Sequence, residues 1–187
     1  MRILQLIDSL EAGGAERMAV NYANSLVDSL GFSALVATRK EGALLEQIDS
    51  KVTYLFLNKK SKLDFGALWR LRSFVILYSI THVHAHSTSF FMAFLLKLCC
   101  PSLKLIWHYH YGNNKEISNK RILIFKTLIP FFNGVISVNR NLKIWIENKL
   151  KFKKVIYLPN FTSRTKEVNK TNPLGVEGKR ILCLANL

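Results

Sequence analysis

Five histidines crowd into two short stretches: His82, His84 and His86 in Thr81–Ser87, and His108 and His110 in Leu103–His110. Imidazole titrates near neutral pH and can donate or accept a hydrogen bond, so these clusters suit proton handling, hydroxyl positioning or metal binding. Read as a strand, Thr81–Ser87 places its three histidines on one face. A His-x-His strand can ligate zinc. Neither a carboxylate nor a cysteine accompanies this one, so no metal is expected, and a strand covered on both faces can enclose hydrogen-bonded histidines instead. Both stretches close at the carboxyl end of a strand, where open α/β sheets bind their ligands. His86, Ser87 and His110 are therefore candidate site residues.

The second candidate is Gly13-Gly14. It joins a mostly apolar strand, Arg2–Asp8, to a helix from Ala15 to Leu30 with apolar residues at Met18, Ala19, Tyr22, Ala23, Leu26 and Val27. Glu16 suits the first turn of that helix and Gly31 its stop. A glycine turn running into a helix N-terminus can take an anion or a sugar hydroxyl, or it can simply close a turn. The pattern is not G-x-G-x-x-G, which argues against a dinucleotide site and hence against an oxidoreductase.

These residues need a frame, and the chain alternates strands with helices. Strands are predicted at Phe32–Thr38, Val52–Leu57, Thr81–Ser87, Leu103–His110, Val135–Val138 and Val155–Leu158, after the opening Arg2–Asp8. Helices are predicted at Ala43–Asp49, Asp64–Tyr78, Ser87–Cys99, Ile117–Phe132 and Asn139–Leu150, with loops at Arg39–Gly42 and Tyr111–Asn114. Such alternation predicts a doubly wound, parallel, Rossmann-like α/β sheet. Asp64 is a plausible N-cap, and Phe65, Leu68, Trp69, Leu71, Val75 and Ile76 form the apolar arc of its helix.

Net charge is +15, from 27 Lys and Arg against 12 Asp and Glu. Residues 1–50 hold four of the bases and seven of the acids, so the remainder carries 23 bases against 5 acids. That balance attracts polyanions, whether nucleic acid, anionic lipid or phosphorylated substrate. Lys59, Lys60, Lys62, Arg70 and Arg72, with Trp69, are candidates to face a membrane, although a core-packed helix with a solvated basic face is the simpler reading. Asp8, Glu11 and Glu16 arrive too early for a signal peptide. No apolar run approaches the roughly 18 residues of a membrane span. Cys99, Cys100 and Cys183 form no disulfide framework, so a reducing, cytoplasmic setting is expected.

Several pieces, in order, resemble the N-terminal half of glycosyltransferase family 4, with the two-domain GT-B architecture. They are Gly13–Arg17 with Asn21–Leu26, Val83–Ser87, Trp107–His110, Val135–Val138, Val155–Asn160 and Arg180–Leu187. The resemblance implies retaining transfer of a sugar from a nucleotide-sugar to a glycan or lipid-linked acceptor, as in cell-surface polysaccharide synthesis, with no cofactor or metal. It further implies that His110 faces the donor sugar as a positioning group. Gly13 and Gly14 would approach the acceptor or the donor diphosphate, and His86, Ser87 and Asn160 would line the substrate side. Phe161 stands where the family usually has glycine. The expected domains are 1–161, a linker over 162–179 and the first strand of a second domain over 180–187, with little transfer by this chain alone. An acceptor domain at the inner face of a membrane is expected. A basic polyanion-binding domain is the alternative; no nucleic-acid reader motif supports it, so no nucleic-acid partner is expected.

Overall fold

The structure, a computed structural model, describes residues 1–111 and 117–162. The expected turn after Tyr111, nearly all of the expected linker and the expected strand over 180–187 lie outside the described residues. Seven strands form one sheet: β1 (Ile3–Ser9), β2 (Ser33–Lys40), β3 (Thr53–Phe56), β4 (His82–His86), β5 (Lys104–Tyr109), β6 (Gly134–Ser137) and β7 (Val155–Tyr157). Their spatial order is β3-β2-β1-β4-β5-β6-β7, and every pairing is parallel. The order reverses between β1 and β4, which opens a crevice at the carboxyl ends of those strands.

Helices cover both faces. Helix α1 (Gly14–Leu30) lays Ala19, Val20, Ala23 and Val27 over Ile7, Leu35 and Ala37. On the other face lie α2 (Phe65–Leu77), α3 (Phe90–Cys99), α4 (Asn119–Leu128) and α5 (Arg140–Trp145). They pack on Leu4, Leu6, Val83, Ala85, Leu105 and Trp107. Odd and even positions of β1 thus serve different cores, which explains its near-continuous apolar run. The helix ends follow their local chemistry. Asp64, Ser118 and Asn139 cap α2, α4 and α5 by accepting from the amides of Ala67, Arg121 and Leu142. Gly31 takes the left-handed conformation (φ 68°) that stops α1.

Four sequence expectations change. Strand β2 runs on through Arg39 and Lys40, which stand exposed at its end rather than in a loop. The expected helix over Ala43–Asp49 shrinks to a 3-10 turn at Leu45–Gln47, because the Leu44 amide is drawn back to the Leu10 carbonyl. The helix expected from Ser87 begins at Phe90, after a 3-10 turn in which the Ser89 hydroxyl meets the carbonyls of Leu6 and His86. On α2 the buried stripe is Ala67, Leu68, Leu71, Phe74 and Val75, while Phe65 and Trp69 are 75% and 66% exposed. Apolar residues surround α2 on all sides, so periodicity alone could not choose its inner face.

Gly42 sits where the chain folds against the end of β1: a Cβ there would lie 2.6 Å from the Leu10 carbonyl oxygen and the Glu11 amide nitrogen. Those are backbone atoms and cannot swing away. Gly42→Ala is therefore expected to cost about 2 kcal/mol of unfolding free energy. Gly14→Ala, whose Cβ would meet nothing within 4 Å, should cost nothing. Paired denaturant titrations check both.

Candidate active site

The histidines collect on the α1 face of the sheet. β4 contributes His84 and His86, and β5 contributes His108, in register with His86; His110 directly follows β5. Period two sends all four to one side, while Val83, Ala85, Trp107 and Tyr109 go to the opposite core. His84 and His108 stack with ring centroids 5.1 Å apart, and His108 and His110 at 4.0 Å. Tyr22 of α1 stands edge-on over His84 and His108, at 5.0 and 5.7 Å.

His86 uses both of its nitrogens. Nε2 lies 2.9 Å from Gln5 Oε1, and Nδ1 lies 3.1 Å from His110 Nε2. An amide oxygen only accepts, so His86 Nε2 carries the proton and Nδ1 accepts from His110 Nε2–H. The chain of bonds leaves His110 Nδ1 as a lone pair. Burial pushes every one of these imidazoles toward neutrality: His110 down to about 4 and His84 to about 3, with His86 and His108 also far below the ordinary value. At neutral pH His110 is thus an uncharged ring whose Nδ1, without a partner among the described residues, suits a hydroxyl donor rather than an anion.

His84, His86 and His108 bring ligand-capable nitrogens within 4.8 Å of one another, the only such group of three among the described residues. Binding a metal through His86 would break its bond to Gln5 or to His110. Gln5 Nε2, His84 Nε2 and both nitrogens of His108 lie buried with no hydrogen-bond partner among the described residues, so the cluster is a polar, strongly desolvated layer.

His86, Ser87, Gly13, Gly14 and Asn160 lie at the same end of the sheet, each just within or after the carboxyl end of a strand. His86 is fully buried, and its ring reaches the edge of the sheet through its hydrogen bond to His110. Ser87 has a left-handed backbone (φ 49°), and its carbonyl accepts from the Trp107 indole at 3.0 Å, so it shapes the turn. Gly13 is extended (φ −164°), and a Cβ there would meet the flexible carboxylate of Glu16; Gly14 opens onto free space. Neither glycine is demanded by backbone conformation, so the value of Gly14 is the room it leaves beside the first turn of α1. Asn160 is exposed and adjoins Phe161, whose ring packs 5.0 Å from Tyr22 and whose carbonyl accepts from Asn21. The basic set divides. Lys59 and Lys62 line a groove on the opposite face of the sheet, whereas Arg70 donates to the Leu57 carbonyl and Arg72 stacks on the exposed Trp69.

Sequence reasoning missed Gln5, Tyr22 and Asp8. Gln5 is a lone polar residue inside an apolar strand, which is the signal that could have found it. Asp8 accepts from the hydroxyls of Thr38 at 2.6 Å and Thr88 at 2.5 Å, tying the ends of β1, β2 and β4 together.

The sequence profile described as Glycosyltransferase Family 4 matches residues 12–165. The chain belongs to glycosyltransferase family 4. Its fold is that of the N-terminal part of GT-B glycosyltransferases. It is similar to a glycosyltransferase from Rickettsia africae at 14% identity (TM-score 0.64, covering 84% of this chain and 42% of that one). HepE from Anabaena, solved in complex with UDP, is 17% identical (TM-score 0.67, covering 86% and 44%). Sucrose-phosphate synthase from Thermosynechococcus elongatus is 11% identical (TM-score 0.61, covering 85% and 48%). This family 4 chain therefore spans less than half the length of each of these structures. No curated protein sequence matches it significantly.

The buried imidazoles of this glycosyltransferase domain give it a pH signature. Their pKa values are depressed in the fold, so the unfolded chain binds more protons below about 6.5. Their stability contribution is complete above pH 6.5 and falls as pH drops toward 4, each group adding up to about 1.4 kcal/mol per pH unit. Unfolding free energy should therefore fall by at least about 2 kcal/mol between pH 6.5 and 5, and His84→Gln should flatten that slope, as denaturant titrations at stepped pH will read.

Proposed function

We propose that this chain is the acceptor-binding domain of a retaining hexosyltransferase. The enzyme moves a sugar from a nucleotide-sugar to a glycan or lipid-linked acceptor in cell-surface polysaccharide synthesis. It works in the cytoplasm, at the inner face of the membrane, without cofactor or metal. The observation that carries this is His110: partly exposed at the carboxyl end of the sheet, it is neutral and fixed in one tautomer by His86 and Gln5. A related fold, HepE, has been solved with UDP and glucose together (14% identity, TM-score 0.65), which supports a nucleotide-sugar donor.

In a retaining transfer the leaving phosphate can itself take the acceptor's proton, so the site needs no strong base. His110 Nδ1 would accept from a sugar hydroxyl and set its orientation. The open space at Gly14 would admit substrate beside the positive end of α1. Donor phosphates would rest mainly on the second GT-B domain, so this chain alone should transfer little. Exposed Trp69, Ile76 and Leu77 on α2, with Arg72 beside Trp69, support contact with an anionic membrane.

Nucleotide-sugar turnover, measured for this chain beside a longer form carrying the second domain, tests the reading. Only the longer form should be active, and His110→Ala in it should lower kcat about 100-fold while donor KM stays within two-fold. Equal activity of the two forms, or an unchanged kcat, would count against it. Gln5→Leu removes the acceptor that fixes the tautomer without touching substrate. It should lower kcat about ten-fold, and long-range nitrogen–proton NMR should show His110 losing its single Nε2–H form.

A further inference from the structure

On the face opposite the histidines, the same carboxyl edge of the sheet holds a groove of about 450 Å³. One wall is basic: Arg39 at the end of β2, Lys59 and Lys62 after β3, and Arg121 on α4. The floor is aromatic and aliphatic, with Phe90 and Phe91 of α3 and Ile124 and Phe125 of α4.

The charges in this groove are unbalanced. Its one carboxylate, Asp8, already accepts from Thr38 and Thr88. None of the four cations has a carboxylate within 4 Å among the described residues. Lys59 is half-buried, and that burial pulls its ammonium below the ordinary lysine range. Asp8 and Asp64 attract it from beyond 4 Å without offsetting that burial, and a partly desolvated cation is relieved further by an incoming anion. Arg121 is held by Tyr111 and Phe125, its guanidinium carbon 4.5 and 5.5 Å from their ring centroids. The apolar floor reaches the surface at Ile124, which is 48% exposed, beside the exposed Leu123. An anion alone would leave that floor wet, and an apolar ligand alone would leave the cations unmet.

We propose that the groove seats an acceptor carrying a phosphoryl group on an apolar chain, the phosphoryl among Arg39, Lys59 and Lys62 and the chain along Phe91, Ile124 and Phe125. This rests on the transferase reading above and names the class of its acceptor. Phosphoryl groups could also come from the donor's diphosphate, and the probes separate the two sources.

The test is calorimetric binding to the full chain, without donor or turnover, using dodecyl phosphate, dodecyl glucoside and UDP, each below any micelle concentration. Dodecyl phosphate should bind at least ten-fold tighter than either of the others. R39Q/K62Q, both at exposed positions, should weaken it at least ten-fold, while K143Q/K154Q on a distant surface should change it less than two-fold. Far-UV circular dichroism confirms that both variants are folded. Equal binding of dodecyl glucoside, or unchanged affinity in R39Q/K62Q, overturns the proposal. Binding of UDP as tight as that of dodecyl phosphate overturns it in favour of a donor site. Because no transfer is measured, failure here leaves the His110 result untouched, and failure of the turnover assay leaves this binding readable.

Discussion

A buried imidazole with both nitrogens committed is the constraint around which this domain is arranged. His86 joins β1 through Gln5 to the end of β5 through His110, so one side chain fastens three strands at the switch point of the sheet. Neutrality is enforced because a second proton on His86 would have to displace a hydrogen bond inside a layer that excludes water. Two other parts of the chain answer to the same layer. Helix α1 covers it with Tyr22, and the segment after β7 returns to pack Phe161 on Tyr22 while giving its carbonyl to Asn21. The Phe161 ring thus packs over the layer from the far end of the domain.

The frame was readable in the sequence because its signals are strong and local. Continuous apolar strands, Asp64 and Asn139 as caps and Gly31 as a stop each act within a few residues. The failures were those of long range. Helix α2 is apolar on every side, and only the sheet beneath it selects Leu71 and Phe74 over Trp69. The turn at Leu45–Gln47 depends on a carbonyl more than thirty residues earlier, which no window over 43–49 contains. Within the site, period two put the histidines on one face, but that His86 is fully enclosed and His110 partly open depends on how far α1 reaches. Gln5 acquires meaning only once β1 lies beside β4.

The glycine pair shows the same division. Residue type alone marked Gly13 and Gly14 as places of backbone freedom. Gly13 is extended and Gly14 opens onto empty space, so neither is required by the fold of this domain. Gly42, inconspicuous in a loop, is where the backbone of Leu10 and Glu11 leaves no room for a side chain. Among the described residues nothing would meet a Cβ at Gly14, so the space beside the first turn of α1 is open.

The carboxyl edge of the sheet is thus divided by chemistry as well as by geometry. On the α1 face His110 offers a lone pair and no charge, which favours a hydroxyl and does nothing for a phosphate. On the other face Arg39, Lys59, Lys62 and Arg121 offer positive charge and no acceptor. Asp8 stands between them, its oxygens committed to Thr38 and Thr88. It anchors the edge and attracts Lys59 from beyond salt-bridge distance, one negative charge against four positive. A neutral histidine layer under α1 and a basic groove beyond Asp8, whose cations have no carboxylate within 4 Å among the described residues, thus put hydroxyl-accepting and anion-accepting chemistry on separate faces of one edge.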